Sequence, residues 1–369
     1  MTTECRAPEL SIIVPTFKEV DNVRELVRRV EACMGDVAWE IIFVDDDSPD
    51  GTADEARAVG NEDTRVRCIQ RIGRRGLSTA CVEGMLASNA DYFAVMDGDL
   101  QHDETLLPEM LRTIKAERLD AVVGSRYVDG GGIGDWNERR AFISRFSTQL
   151  GEKLLKVQLK DPMSGFFMIT RETLNLSVRN LSGIGFKILL DIFASAERPL
   201  RFKELPFTFR TRQAGESKLD STVAWEYVMM LLDKTVGRYV PVRFISFSLI
   251  GGLGVFVHMA VLTLMFEFFG AGFAAGQITA TLVAMVFNFF LNNVLTYRDR
   301  RLRGIRMLWG LLSFMIACSV GAFANVGIAI YLFEMDTFWV LSAIAGVLVG
   351  AVWNYAITTV YTWNKPKGA

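Results

Sequence analysis

Two hydrophobic rhythms divide the chain. Upstream, short apolar runs alternate with amphipathic stretches. LSIIVPT precedes a helical pattern over 19–34, WEIIFVDD one after Asp50, VRCIQR one over 76–90, and YFAVMDGD one from Glu104; AVVGSR follows. Continuous apolar strands with helices between them predict a mostly parallel sheet covered on both faces. Ligands of such sheets bind at the carboxyl ends of the strands. Beyond GRYVPVRF (237–244) the rhythm changes to four long apolar runs, roughly 244–269, 273–295, 307–333 and 338–361. Each reaches the ~20 residues that cross a bilayer as a helix. The expected organisation is an α/β domain over 1–220, an amphipathic interface helix and linker over 221–243, and an all-α membrane domain of four transmembrane helices over 244–363.

The loops between the runs set an orientation. Arg238 and Arg243 precede the first run, YRDRRLRGIR separates the second from the third, and Lys365 and Lys367 follow the fourth. The other two connectors, EFFGAGFAAGQ and FEMDT, hold no Lys or Arg. The positive-inside rule therefore places both termini and the α/β domain in the cytoplasm. The runs also hint at duplication. NFFLNNVLTYR from Asn288 and NYAITTVYTWN from Asn354 share the order Asn, aromatic, Thr-aromatic. A repeated helical hairpin explains this, and shared interfacial composition would look the same. Asn288, Asn292, Asn325 and Asn354 are expected to bond helix to helix.

Composition narrows the function. Net charge is −2 over 369 residues, so no global basic field for nucleic acid exists. The five cysteines contain no CxxC pair and only His102 and His258 are histidines, which argues against a disulfide framework and excludes a multi-histidine zinc site. The N-terminal MTTECRAPEL has no apolar signal core and reads as cytosolic. PTFKE after the first strand lacks the GxGxxG turn of dinucleotide sites, and no P-loop follows any strand.

VMDGDLQHDE ends an apolar strand with four carboxylates in eight residues. Asp97 and Asp99, two apart, point to one side. Gly98 between them lets a ligand approach the backbone. Hard oxygen donors without histidine suit Mg²⁺ or Mn²⁺ shared with substrate phosphates. Gln101 can add a neutral oxygen. Asp103 and Glu104 read better as first-turn helix acids. In VDDDSPDGT, Ser48, Asp50 and Thr52 are expected helix caps, whereas Asp45 and Asp46 could accept hydrogen bonds from a base or ribose.

SIIVPTFKEVDN, IIFVDDDSPDGT, MDGDLQHDE, GSRY, DPMSGFFMI and GESKL occur in this order over 10–219. The chain thus resembles family 2 glycosyltransferases of the GT-A fold, specifically polyprenyl- or dolichyl-phosphate mannose synthases. Its second half resembles a GtrA-like four-helix membrane domain. The resemblance implies that Pro15, Phe17 and Glu19 form the first nucleotide-contacting loop and that Val44 and Asp46 meet base and ribose. It implies that Asp97, Gly98, Asp99 and Gln101 hold metal and diphosphate, and that Arg126, Arg212 and Lys218 surround the phosphates. Phe17 replaces the Tyr common there, and QHDE replaces the frequent QHPPE.

The implied reaction moves a hexose, mannose from GDP-mannose first, to a polyprenyl phosphate with inversion. Its catalytic residues are Asp97, Asp99 and Arg126. A UDP-glucose-dependent enzyme of the same architecture is the alternative, and a glycolipid flippase with a regulatory α/β half is a second. A processive polysaccharide synthase would need the QxxRW motif, which is missing. The lipid acceptor calls for an interfacial helix, and NERRAFISRFSTQLGEKLLKV (137–157) has that pattern. Arg139, Arg140 and Ser144 near its start, with Arg126, are candidates for the lipid phosphate. The 222–240 stretch is a second amphipathic segment, and DGGGIGD reads as a loop beside Arg126. Oligomeric state is not legible.

The loop charges make a topological prediction. Reporters after Gly270 and near Asp336 should be extracytoplasmic, and those near Arg303 and at the C-terminus cytoplasmic. A cytoplasmic signal at Gly270 would overturn the four-span arrangement.

Overall fold

The computed structural model describes residues 7–73, 76–132, 159–183, 185, 187–210, 221–237, 239–270, 272–335 and 339–364. The chain divides into two compact units, Met1–Thr235 and Val236–Ala369.

The first unit is built on seven strands: β1 (Leu10–Thr16), β2 (Trp39–Asp45), β3 (Val66–Gln70), β4 (Tyr92–Val95), β5 (Ala121–Ser125), β6 (Phe167–Thr170) and β7 (Phe202–Pro206). They lie in the order β3-β2-β1-β4-β6-β5-β7, with β6 antiparallel to both neighbours and the other pairs parallel. The inner strands are buried on both faces, which is why β1, β2, β4 and β5 read as largely apolar runs, whereas the edge strands β3 and β7 are partly exposed. Leu10, Ile12 and Val14 of β1 join the core beneath α1 (Val20–Met34), α2 (Thr52–Glu62) and α4 (Leu107–Ala116). Ile13 joins the opposite core with α3 (Leu77–Leu86) and α6 (Ile188–Ser195). Successive side chains point to opposite faces, so one strand serves both cores. The short α5 (Arg171–Ser177) follows β6. The predicted helix over 76–90 is shorter than its pattern, ending at Leu86.

Helix α7 (Ser221–Thr235) belongs to this unit, which extends past the expected end at 220. Met229, Met230 and Leu231 are buried. Lys234 Nζ lies 2.6 Å from Asp191 Oδ1 and donates to Ser195 Oγ (2.7 Å) and Asn180 O (2.8 Å). Removing one partner of so buried a pair would leave an uncompensated charge, so the contact fixes the end of α7 firmly.

The second unit holds α8 (Val242–Thr263), α9 (Phe273–Leu291), α10 (Ile305–Glu334) and α11 (Trp339–Ile357). Among the described residues, three helical segments are long and apolar enough to cross a membrane: Val242–Phe268, Phe273–Thr296 and Ile305–Leu332. The fourth helix, α11, has 19 residues and no charge.

The suspected duplication has a structural counterpart. Both α9 and α11 end in a π turn, closed by Tyr297 N to Asn292 O (2.8 Å) and Trp363 N to Thr358 O (2.9 Å). Ser246 Oγ meets Thr296 Oγ1 at 2.6 Å in the first hairpin, and Ser313 Oγ meets Thr362 Oγ1 at 3.0 Å in the second. Tyr297 stacks on Trp363 at 4.1 Å. Each ring then reaches an equivalent residue of the opposite hairpin: Tyr297 Oη to Thr359 Oγ1 (2.6 Å), and Trp363 Nε1 to Asn293 Oδ1 (3.1 Å). Phe247 against Tyr355 is matched by Phe314 against Phe289, both at 5.8 Å. These exchanged contacts define a pseudo-two-fold axis between two hairpins. Asn293, which the sequence pattern did not single out, does the bridging expected of its neighbours. Asn292 instead donates to Asn288 O in its own helix.

Gly84 tests the face-to-face packing of α3 on the sheet. A Cβ there would lie 2.5 Å from Ile13 Cγ2 and 2.9 Å from Val44 Cγ2. Gly84→Ala gains roughly 1 kcal/mol of helix propensity. Overpacking costs roughly 1–3 kcal/mol and should win, lowering the unfolding midpoint by circular dichroism. A raised midpoint would mean that the two strands give way.

Candidate active site

The strand order reverses between β1 and β4, so a crevice opens at their carboxyl ends. Gly98 follows β4 and lies against β1: a Cβ on it would sit 3.2 Å from Thr16 Cγ2 and 3.6 Å from Glu19 Cγ. The first two loops are tied together. Lys18 N donates to Ser48 Oγ (2.9 Å), Glu19 N to Thr52 Oγ1 (3.0 Å) and Val20 N to Asp50 Oδ2 (3.4 Å). Asp50, expected as a cap of its own helix, does meet the start of α2, where its Oδ1 accepts from Thr52 N (3.1 Å), while Ser48, Asp50 and Thr52 also reach the start of α1; Gly51, at φ +92°, holds the N-cap position of α2. Pro15 and Phe17 lie at this edge, half-buried.

Asp45 and Asp46 are each held by protein partners. Asp45 is fully buried and accepts from Thr16 Oγ1 (3.2 Å), Ser48 N (2.8 Å) and Ser48 Oγ (2.5 Å). Asp46 accepts from Arg71 Nη1 and Gly76 N, each at 2.7 Å. Both carboxylates therefore brace loops from within. Val44, expected at the base, is wholly buried in the core that α3 covers, so its side chain cannot make that contact.

Asp97 and Asp99 flank Gly98. Asp97 is about one-third exposed (34%), whereas Asp99 is buried and accepts from Gln101 N (3.2 Å). Behind them sits His102, fully buried. Its Nδ1 accepts from Asp97 N at 3.0 Å, and its ring stacks on Phe166 at 5.1 Å with Phe207 and Phe209 edge-on. Burial pushes its pKa down to about 4, which keeps the imidazole neutral and Nδ1 an acceptor. Gly165 presses on the same turn: a Cβ would lie 3.2 Å from Asp97 Oδ2. Gln101 Nε2 donates to Arg210 O at 2.9 Å, which assigns the amide and leaves Oε1 as the end that can meet a cation. Among the described residues no group of three or more His, Cys, Asp or Glu could hold a metal. Two carboxylates and an amide oxygen nevertheless fit Mg²⁺ or Mn²⁺, which keep positions for water and phosphate.

Arg126 follows β5 and is clasped by the buried Asp161, with Nε and Nη2 each 2.8 Å from its carboxylate and the Arg126 N at 3.1 Å. Asp161 is held in turn by its own N donating to Glu204 Oε1 (3.0 Å). The start of the glycine-rich loop is pinned, with Gly132 N donating to Phe207 O and Phe209 N to Gly132 O. Arg139, Arg140, Ser144, Arg212, Lys218 and the 137–157 pattern lie outside the described residues. Asp161, His102, Arg71 and Arg210 were given no role from sequence. Asp161 and His102 did lie inside quoted motifs, but only the fold shows what they brace.

Two family models match the chain: glycosyl transferase family 2 over 11–176, and the GtrA/DPMS transmembrane domain over 246–363. A dolichol-phosphate mannosyltransferase of Pyrococcus furiosus is 33% identical over 357 residues, covering 96% of this chain and 99% of that protein. The chain belongs to the dolichol-phosphate mannosyltransferase family. Its GT-A sheet is therefore that of a glycosyltransferase, carried with a membrane domain. A dolichol-phosphate mannosyltransferase of Saccharomyces cerevisiae is 35% identical over 240 residues, 63% of this chain and 88% of that protein. Among solved structures, glucosyl-3-phosphoglycerate synthase from Mycobacterium tuberculosis, with Mn²⁺, UDP-glucose and phosphoglyceric acid, matches at a TM-score of 0.49 and 17% identity, covering 62% of this chain and 79% of that one.

The Arg126–Asp161 pair yields a prediction for this mannosyltransferase-family site. Asp161→Ala strands a buried guanidinium and should cost about 3–5 kcal/mol of stability together with most transfer activity. Denaturant unfolding and radiolabel transfer measure both. Unchanged values in the two assays would remove Asp161 from the site's framework.

Proposed function

We propose that this protein transfers mannose from GDP-mannose to a polyprenyl, dolichyl-type phosphate at the cytoplasmic face of the cell membrane, with inversion, giving a lipid-phosphate sugar. The observation that carries the reading is the end-to-end similarity to the Pyrococcus furiosus protein, which spans both units at once. The chain is read as multi-pass with four spans, with α11 as the last, and with the catalytic unit and both termini cytoplasmic.

The chemistry supports this reading. The nucleophile is a phosphate oxygen, already ionised near neutral pH, so no general base is needed. His102, buried and already accepting the Asp97 N–H, is unsuited to be one. A bound Mg²⁺ or Mn²⁺ would stabilise the departing nucleoside diphosphate as a Lewis acid. Asp97, Asp99 and Gln101 would hold it, with Gly98 allowing the phosphates close. Pro15, Phe17 and Glu19 would line the nucleotide side, with Asp45 and Asp46 bracing that wall. Arg126, Arg212 and Lys218 would offset the phosphate charge, and Arg139, Arg140 and Ser144 with Arg126 would receive the lipid phosphate. Cations fixed in advance by partners such as Asp161 stabilise charge without reorganising during the reaction. The 137–157 segment would lie at the headgroups.

The purified protein should be incubated with a polyprenyl phosphate, Mg²⁺ or Mn²⁺, and a panel of nucleotide sugars. A mannosyl lipid from GDP-mannose is expected, and Asp99→Ala should abolish it while the fold persists. A glucosyl lipid from UDP-glucose alone would overturn the donor assignment.

A further inference from the structure

We propose that Arg210 is a positioning residue that presents the Gln101 side-chain oxygen to the metal, an inference that rests on the metal reading above. Beyond β7 the chain continues as a strap across the strand ends. Phe207 N donates to Ser125 O at 3.1 Å, and Phe209 covers the buried His102 ring at 5.6 Å. The strap reaches the metal loop at Arg210. There Arg210 N donates to Gln101 O at 3.0 Å, and Gln101 Nε2 donates back to Arg210 O at 2.9 Å. The amide group of Gln101 is thus oriented by one main-chain carbonyl.

The Arg210 side chain fixes where that carbonyl sits. Its Nη1 donates to Glu104 Oε2 at 2.7 Å and its Nη2 to Asp103 Oδ1 at 2.8 Å. Glu104 is buried (6% exposed), and Asp103 Oδ1 also accepts from Thr105 N at 3.2 Å, so both carboxylates are themselves anchored. A planar fork bonded to two fixed acids has little freedom left, and the adjacent carbonyl inherits that restriction. Outer partners of this kind tune how well a ligand meets its metal without touching it.

The test is Mn²⁺ binding to the full-length protein in detergent, read by loss of the free-ion electron paramagnetic resonance signal with GDP present. Arg210→Ala should weaken Mn²⁺ binding about tenfold, the low end for outer-sphere partners. Metal-free GDP affinity should stay at the wild-type value, and saturating Mn²⁺ should restore the turnover rate. Arg210→Lys, able to reach only one acid, should fall between. Asp103→Asn with Glu104→Gln should reproduce the loss and add nothing to Arg210→Ala, the mark of one shared interaction. Should Arg210→Ala fold poorly, the Asp103→Asn single variant, which keeps the Glu104 bond, carries the same measurement. Wild-type Mn²⁺ affinity in these variants, with binding abolished in Asp99→Ala, overturns the role of Arg210. Wild-type affinity in Asp99→Ala as well overturns the metal reading itself.

Discussion

Negative charge gathered at the carboxyl edge of the sheet is the constraint around which the catalytic unit is arranged. Carboxylates this close repel one another and resist burial unless each has a donor. Asp45 takes hydroxyls and an amide from its own and the neighbouring loop. Asp46 takes the buried Arg71, and Asp161 takes Arg126. Asp103 and Glu104 share Arg210. Satisfying these groups ties neighbouring loops together along this edge, where Asp97 and Asp99 also lie.

The two units solve different packing problems. The sheet buries both faces, so rigidity comes from apolar layers on each side. The anchor of α7 through Lys234 and Asp191 extends that rigidity to the end of the unit. In the membrane unit, lipid offers no hydrophobic gain for joining helices, so close packing and polar contacts must do it. The paired Ser–Thr contacts, the Tyr297–Trp363 stack and Asn293 supply them. Two copies of one hairpin meeting about an axis need only one solution to that problem, used twice.

A frame of this kind suits a reaction between two anions. Such a reaction demands fixed positive charge and a poised metal position more than it demands proton transfer. The single histidine near the centre is correspondingly a wedge: it is walled by three phenylalanines and holds the Asp97 amide.

The amino-acid sequence by itself determined the two-unit organisation, the mostly parallel sheet, the long apolar runs and the cluster of acids that follows β4. Each is a periodicity or a local motif, and local patterns survive in one dimension. Residues 10–16 and 39–45 read as buried strands because both faces are covered, and DGD reads as a site because its residues are neighbours in the chain. What only the tertiary structure decided is pairing. That Asp46 pairs with Arg71, that Asp50 reaches α1 as well as its own helix, and that Val44 packs into the core depend on which loops the topology brings together. The same holds for Gln101 and Arg210, which lie more than a hundred positions apart in sequence. Hydrogen-bond partners at that separation leave no periodic trace, because the sheet order that joins them is fixed by the packing of the whole core.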